Sequence, residues 1–193
     1  MEPVFEILYY GFGLKTTGIV LGVALVVAHI VALLKADAIK AWLPSFPRDK
    51  RTGIIILAVD LVWSWIVIKH MDMGEFYTLR KPLLIGLPIG FYLIITFADE
   101  FLSVRAFGTF LLLLACPVLN AAYLKDPWFP KLLIPTLAYV WIVAGLFYVG
   151  MPYLLRDHID WLLEKASRYK AAAFAGIGYG ALLLVFAFAF YQN

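Results

Sequence analysis

The feature that most constrains this chain is a series of six long apolar runs separated by short polar segments. A helix that crosses a membrane needs about 20 mostly apolar residues, since the hydrocarbon core is about 30 Å thick. The runs cover residues 17–34, 52–68, 82–98, 103–124, 131–155 and 171–191. The sequence therefore predicts an all-α, polytopic membrane protein folded as a single bundle of about six transmembrane helices.

The composition supports this fold class. Hydrophobic residues make up 64% of the 193 residues and charged residues only 15%, whereas soluble domains hold about 45–50% and about 25%. No polar segment is long enough for a second domain, so we expect residues 1–193 to form a single transmembrane domain. Any function then lies within the bundle or on its two faces, and the lipid bilayer is the first partner of the chain.

Residues 2–14 are too short to cross a membrane, and they mix two acidic side chains with apolar and aromatic ones. This mixture predicts an interfacial segment that lies along the membrane surface. The acidic start also differs from the cationic start of a signal peptide, so we expect the first apolar run to be a retained helix.

The distribution of Lys and Arg predicts the orientation. Ten of these residues flank the runs on one side of the membrane, and six lie on the other, where both termini are expected. Because cytoplasmic segments carry the excess of positive charge, both termini are predicted to be non-cytoplasmic. The expected location is the cell membrane, which in a bacterium means the inner membrane, since outer-membrane proteins are barrels.

Asp60 is the most informative single residue because it lies near the middle of the second run. A charged carboxylate at that depth costs about 2.5–3.5 kcal/mol, and such residues often serve ions or protons. Ser64 is one turn further along the same face, and His29 in the first run lies at a similar depth. We predict a proton or ion site of Asp60, His29 and Ser64; the alternative is a hydrogen bond that only holds helices together.

Two further sets of residues suggest packing and surface interactions. Small residues four apart predict close helix contacts, and this pattern occurs at Gly18 with Gly22, Gly86 with Gly90, and Gly176 with Gly180. An interfacial polar cluster is expected at the turn between the third and fourth runs, from Asp99, Glu100 and Arg105. It is either an ion pair that fixes this turn or a site for a lipid headgroup or a gate.

The sequence holds no recognised catalytic motif, so we identify no catalytic residues. Its single cysteine excludes an intrachain disulfide and a Cys-based metal site, no metal site is predicted, and the sequence favours no cofactor. We expect a non-catalytic scaffold or accessory subunit that binds a membrane-protein partner or a second copy of itself, without nucleic acid. The alternatives are a small transporter or proton-linked carrier that uses Asp60 and His29, and an intramembrane lipid-modifying enzyme.

Overall fold

A computed structural model describes residues 2–97, 101–125 and 129–191, and within these ranges the chain is helical without β-strands. Three short 3₁₀ segments cover Phe46–Arg48, Gly74–Leu79 and Pro130–Leu132. The α-helices are α1 (Glu2–Tyr10), α2 (Leu14–Leu34), α3 (Ala36–Trp42), α4 (Lys50–His70), α5 (Arg80–Phe97), α6 (Leu102–Ala122), α7 (Leu133–Gly150), α8 (Tyr153–Glu164) and α9 (Ala166–Ala189).

Six of the described helices are long and apolar enough to cross a membrane, which confirms the predicted all-α bundle. They are α2, α4, α5 together with the 3₁₀ segment before it, α6, α7 and α9. Helix α4 has 21 residues, four more than the 17 of the predicted run 52–68. At a rise of 1.5 Å per residue, this length is about that of the hydrocarbon core.

The fifth predicted run, 131–155, includes an interruption between two helices that the hydropathy pattern does not reveal. Helix α7 ends at Gly150, and α8 starts after Pro152 as a separate helix. Apolar and charged side chains alternate along α8 with helical spacing, and Ile159 on its apolar face is buried. Residues 151–155 therefore belong to a turn and to an amphipathic helix of the kind that lies at a membrane surface.

Helices α2 and α9 form a closely packed antiparallel pair. A Cβ added at Gly22 would lie 2.9 Å from the backbone oxygen of Gly180, and one added at Gly180 would lie 2.9 Å from that of Gly22. Nearer the start of α9, the Tyr169 hydroxyl donates to the Ala32 carbonyl at 2.7 Å. The two helices approach this closely because neither has a side chain at the crossing.

Helix α6 is the central helix of the rest of the bundle. It crosses α7 where Gly108 and Gly145 face each other, and it meets α4 where Gly53 faces the Ser103 backbone. The main core joins α2, α6, α7 and α9 through Leu21, Ala115, Ile134, Leu183 and their neighbours. Helix α5, by contrast, has no buried residue and packs mainly on α4 and on the 3₁₀ segment before it.

The N-terminal segment forms helix α1, which is tied to the C-terminal halves of α4 and α6. The Trp63 indole donates to the Leu8 carbonyl at 3.1 Å, and the Asn120 amide donates to the Tyr9 carbonyl at 2.7 Å. We call this side of the bundle, where α2 begins and α9 ends, the terminus side, and the opposite side the far side. The interfacial position of residues 2–14 stays a prediction.

Candidate functional site

Asp60 lies on the packed face of α4, about midway along the helix. The buried residues of α4 are Gly53, Leu57 and Asp60, and their spacing of four and three places them on one side of the helix. Only 3% of Asp60 is exposed. The helical periodicity of α4 therefore turns this carboxyl group toward α5 and α6 rather than toward lipid.

A cavity of about 450 Å³ lies beside this carboxyl group, and we call it the Asp60 cavity. Its walls come from α4, from α5 with the residue before it, and from one residue of α6, and they are mostly apolar. The polar side chains among its lining residues are Asp60, Ser64 and Thr109. The described lining residues are Leu57, Asp60, Leu61, Ser64, Leu79, Pro82, Leu83, Gly86, Leu87, Gly90, Phe91, Ile94 and Thr109.

Neither carboxyl oxygen of Asp60 has a hydrogen-bond partner within the described part of the chain. Among the described residues that line the cavity, there is no Lys, Arg or His. Two arginines on the packed helices each donate an N–H to a backbone carbonyl: Arg80 to that of Met71 at 2.6 Å and Arg105 to that of Val149 at 3.3 Å. The Arg80 Nε is itself buried without a hydrogen-bond partner in the described part of the chain. A buried carboxyl without a partner in the protein has to take up a proton, or be hydrogen-bonded by water or paired with a ligand that enters the cavity.

Ser64 lines the same cavity as Asp60, as expected for residues one turn apart on a helix. Thr109 reaches the cavity from α6, and its hydroxyl donates to the Arg105 carbonyl at 3.1 Å. Since that bond uses the hydroxyl proton, the Thr109 oxygen keeps acceptor capacity toward the cavity. The site therefore combines one carboxyl with two hydroxyl groups in an apolar surrounding.

His29 is not part of this site, which corrects the predicted pairing of His29 with Asp60. Its Nδ1 lies 2.7 Å from the Leu25 carbonyl oxygen on the preceding turn of α2. Its ring lies against Gly176 of α9, where a Cβ would overlap it. The prediction assumed that consecutive spans are neighbours, but α2 packs on α9 and α4 packs on α5 and α6.

The predicted glycine contacts fall into two groups. Gly18, Gly22, Gly176 and Gly180 all lie where α2 meets α9. Gly86 and Gly90 of α5 do not: a Cβ added at either would meet nothing within 4 Å, and both line the Asp60 cavity. The described chain therefore forms no close helix contact at this pair, and the missing side chains leave volume for the cavity instead.

Two of the three residues in the predicted interfacial cluster, Asp99 and Glu100, lie outside the described residues. Arg105 is on the far side, in the first turns of α6, where its guanidinium group reaches the carbonyl of Val149. This contact caps the end of α7, whose last carbonyl groups have no partner within the helix.

A second, larger cleft of about 710 Å³ lies near the far side, between α3, α4, α6, α7 and α8. It is lined by aromatic and aliphatic side chains, and the Tyr148 hydroxyl lies 3.3 Å from His158 Nδ1 at its wall. The apolar runs leave residues 156–170 without a predicted helix, so the sequence did not reveal this cleft. The amphipathic spacing of residues 153–164 was the available signal for helix α8.

Within the described residues, no group of three or more His, Cys, Asp or Glu side chains is positioned to hold a metal ion. Comparison with known proteins gives no match: no family model fits the chain, and neither the curated proteins nor the solved structures include one with significant similarity.

Proposed function

We propose that this protein is a small proton-linked membrane carrier, in which Asp60 is the group that binds and releases the proton. The observation that carries this proposal is the buried, unpartnered carboxyl group of Asp60 at the wall of a cavity of about 450 Å³. A carboxyl group stabilised only by what enters the cavity changes its occupant readily, because no hydrogen bond or ion pair with the protein must break first.

The environment of Asp60 supports a carrier over the accessory-subunit role that the sequence favours. A carboxyl group that only holds helices together accepts a hydrogen bond from a neighbouring helix, and no described residue donates one to Asp60. An intramembrane enzyme needs several acid–base groups around the reacting atoms. The described lining offers one carboxyl and two hydroxyl groups, which suits binding better than catalysis. His29 takes no part in this proposal because its ring is engaged between α2 and α9.

Proton movement in proteoliposomes tests the carrier proposal. Purified protein is reconstituted with a pH-sensitive dye inside acidic vesicles, and cationic, anionic and neutral solutes are added outside one at a time. We expect at least one solute to drive alkalinisation in wild-type vesicles at a rate tenfold or more above that in Asp60→Asn vesicles. The asparagine variant keeps the size of the side chain but cannot bind and release the proton.

Two glycine substitutions distinguish an effect on the cavity from a general effect on the protein. Gly86→Leu fills the Asp60 cavity, whereas Gly178→Leu on α9 adds the same side chain where a Cβ also meets nothing within 4 Å. We expect the first to abolish the proton movement and the second to leave it intact. Equal rates in wild-type and Asp60→Asn vesicles for every solute would overturn the carrier proposal.

A further inference from the structure

We propose that the Asp60 cavity binds an amphiphilic organic cation, meaning a single positive charge on an apolar body, and that this cation and the proton compete for Asp60. The inference rests on the proposed carrier function and names its substrate class. It follows from the charge of the site, the number of ligand atoms and the character of the walls.

The charge of the site requires a positive partner. Helices α1, α5 and α6 pack against α4, and none of them contributes a charged or titratable side chain to the described lining of the cavity. When Asp60 loses its proton, the cavity therefore holds one uncompensated negative charge in an apolar surrounding. An anion is repelled there, and a neutral solute leaves the charge without a partner.

The number of ligand atoms excludes an inorganic cation as the natural occupant. Hard metal ions are bound by about six to eight oxygen atoms in proteins. The described lining supplies the carboxyl of Asp60 and the hydroxyls of Ser64 and Thr109, and the remaining side chains are apolar. A metal ion would lose most of its hydration shell without replacement, whereas an organic ammonium or phosphonium ion has a weaker demand for oxygen ligands.

The size of the cavity and the apolar character of its walls indicate what the uncharged part of the ligand is like. A volume of about 450 Å³ lies within the range of about 300–1,000 Å³ typical of small-molecule sites. Gly86 and Gly90 provide open space on the α5 side, and leucine side chains surround it. This space fits aromatic or branched aliphatic groups, whose burial is favourable at about 25 cal/mol per Å².

Competition for one carboxyl group gives a balanced exchange. A monovalent cation binds as the Asp60 proton leaves to water, and a proton returns when the cation is released, so the net charge of the site is the same in both states. Helix α5 has no buried residue along its described length, and it forms one wall of the cavity. The cation is therefore expected to enter from the membrane beside α5.

A pair of ions with the same shape and opposite charge tests the substrate class. The full-length protein is placed in phosphatidylcholine nanodiscs, and binding of labelled tetraphenylphosphonium and of tetraphenylborate is measured by equilibrium dialysis against empty nanodiscs. We expect saturable binding of the phosphonium ion only. Its affinity should fall tenfold or more in Asp60→Asn and in Gly86→Leu, stay within twofold in Gly178→Leu, and weaken as the pH is lowered because the proton competes for Asp60.

Several outcomes overturn the inference. Binding of tetraphenylborate with the same dependence on Asp60, or phosphonium binding that is unchanged in Asp60→Asn, contradicts a cation site at this carboxyl. Displacement of the phosphonium ion by sodium, but not by equal ionic strength of N-methylglucamine, contradicts the exclusion of inorganic cations.

The two proposals fail in different ways. Phosphonium binding that depends on Asp60 without any proton movement in vesicles supports the ligand class and contradicts the carrier. Proton movement that depends on Asp60 but is driven only by neutral or anionic solutes supports the carrier and contradicts the ligand class.

Discussion

Asp60 is a single residue whose carboxyl group is held in an energetically unfavourable, buried position by the packing of its helix. Leu57, one turn before it on the same face, is buried in the contact of α4 with α6, so the packing that buries Leu57 also turns Asp60 inward. The cost of the carboxyl group is of the order of 2.5–3.5 kcal/mol when it is charged at mid-membrane depth. The apolar contacts of α4 offset this unfavourable free energy. The carboxyl group itself contributes no hydrogen bond to the described fold.

We expect Asp60→Asn to be at least as stable as the wild-type protein at neutral pH, with a free energy of unfolding higher by about 1 kcal/mol. The amide removes the charge, although its own buried polar atoms offset part of the gain at about 1–3 kcal/mol. Thermal unfolding in the same nanodiscs measures the difference. A clear loss of stability would show that the carboxyl group bonds to another helix and would support the structural role.

Asp49, on the far side, makes a pH-dependent contribution to the stability of the folded state. It is the N-cap of α4, where its side chain accepts from the Arg51 N–H at 3.0 Å and from the Thr52 hydroxyl at 2.5 Å. The Thr52 hydroxyl, together with the backbone N–H groups of Thr52 and Arg51, holds the pKa of the Asp49 carboxyl below its usual range. The charged form is therefore the one that stabilises the folded state.

The sign of the effect follows from this lowered pKa. The contribution of Asp49 is complete at pH values above the usual aspartate pKa and is lost as the pH falls through the lower pKa of the folded state. We expect Asp49→Ala to lower the thermal midpoint at pH 7 and to have less effect near pH 3. An equal difference at both pH values would contradict the role of the carboxylate as the cap.

At the level of helices, the sequence predicts where each helix lies in the chain but not which helices pack together. A long apolar run can be recognised from its own residues, so all six helices that are long and apolar enough to cross a membrane were predicted. The choice of neighbours depends on surfaces far apart in the chain, such as the crossing of Gly22 with Gly180. The position of Asp60 was therefore predictable, but its separation from His29 was not.

The same distinction explains why Gly86 and Gly90 form no helix contact within the described chain. Two glycines four residues apart fit a close helix contact and an open cavity equally well, because both arrangements need the absence of a side chain. Only the position of the neighbouring helix decides between them, and α4 passes α5 at a distance that leaves the cavity open. The interruption between α7 and α8 was easier to predict, since Pro152 and the amphipathic residues after it mark its position in the sequence.

Substitution at the α2–α9 crossing measures how much that contact contributes. A Cβ at Gly22 would lie 2.8 Å from Leu184 Cγ and 2.9 Å from the Gly180 oxygen. Overpacking of this kind costs about 1–3 kcal/mol, which outweighs the gain of about 1 kcal/mol in helix propensity from Gly to Ala. We expect Gly22→Ala to lower the free energy of unfolding by about 1 kcal/mol.

Gly178→Ala is the matched control for this substitution, since it lies on the same helix pair in open space. Unfolding in mixed micelles of increasing denaturing detergent compares the two variants. Gly178→Ala should be neutral or slightly stabilising, and equal effects at both positions would contradict close packing at the crossing.

The whole molecule combines a tightly packed part with a loosely packed one. Helices α2, α6, α7 and α9 share the main core, whereas α5 exposes all of its described residues at least partly and borders the Asp60 cavity. Binding sites require elements that can move, and these come from the less stable parts of a fold. The proposed carrier thus uses the rigid helices as a support for Asp60 and α5 as the wall that admits the ligand.

The distribution of Lys and Arg predicts the orientation of the whole bundle. Of the sixteen Lys and Arg residues, ten are on the far side and six on the terminus side, so the far side is expected to be cytoplasmic. In a background where Cys116 is replaced by Ala, Tyr123→Cys reports the terminus side and Ser45→Cys the far side, and neither substitution removes a charge. In intact spheroplasts of a bacterial host, a membrane-impermeant maleimide should label the first and reach the second only after lysis.

The reverse labelling pattern would contradict this orientation, and a charge variant tests its cause. Replacing Arg48 and Arg51 with Gln lowers the far-side count from ten to eight, which narrows the difference between the two sides from four to two. Because the balance of Lys and Arg sets the orientation, this variant should label partly at both cysteines. An unchanged pattern in the variant would mean that the orientation is set by the apolar runs themselves rather than by the charge difference across the membrane.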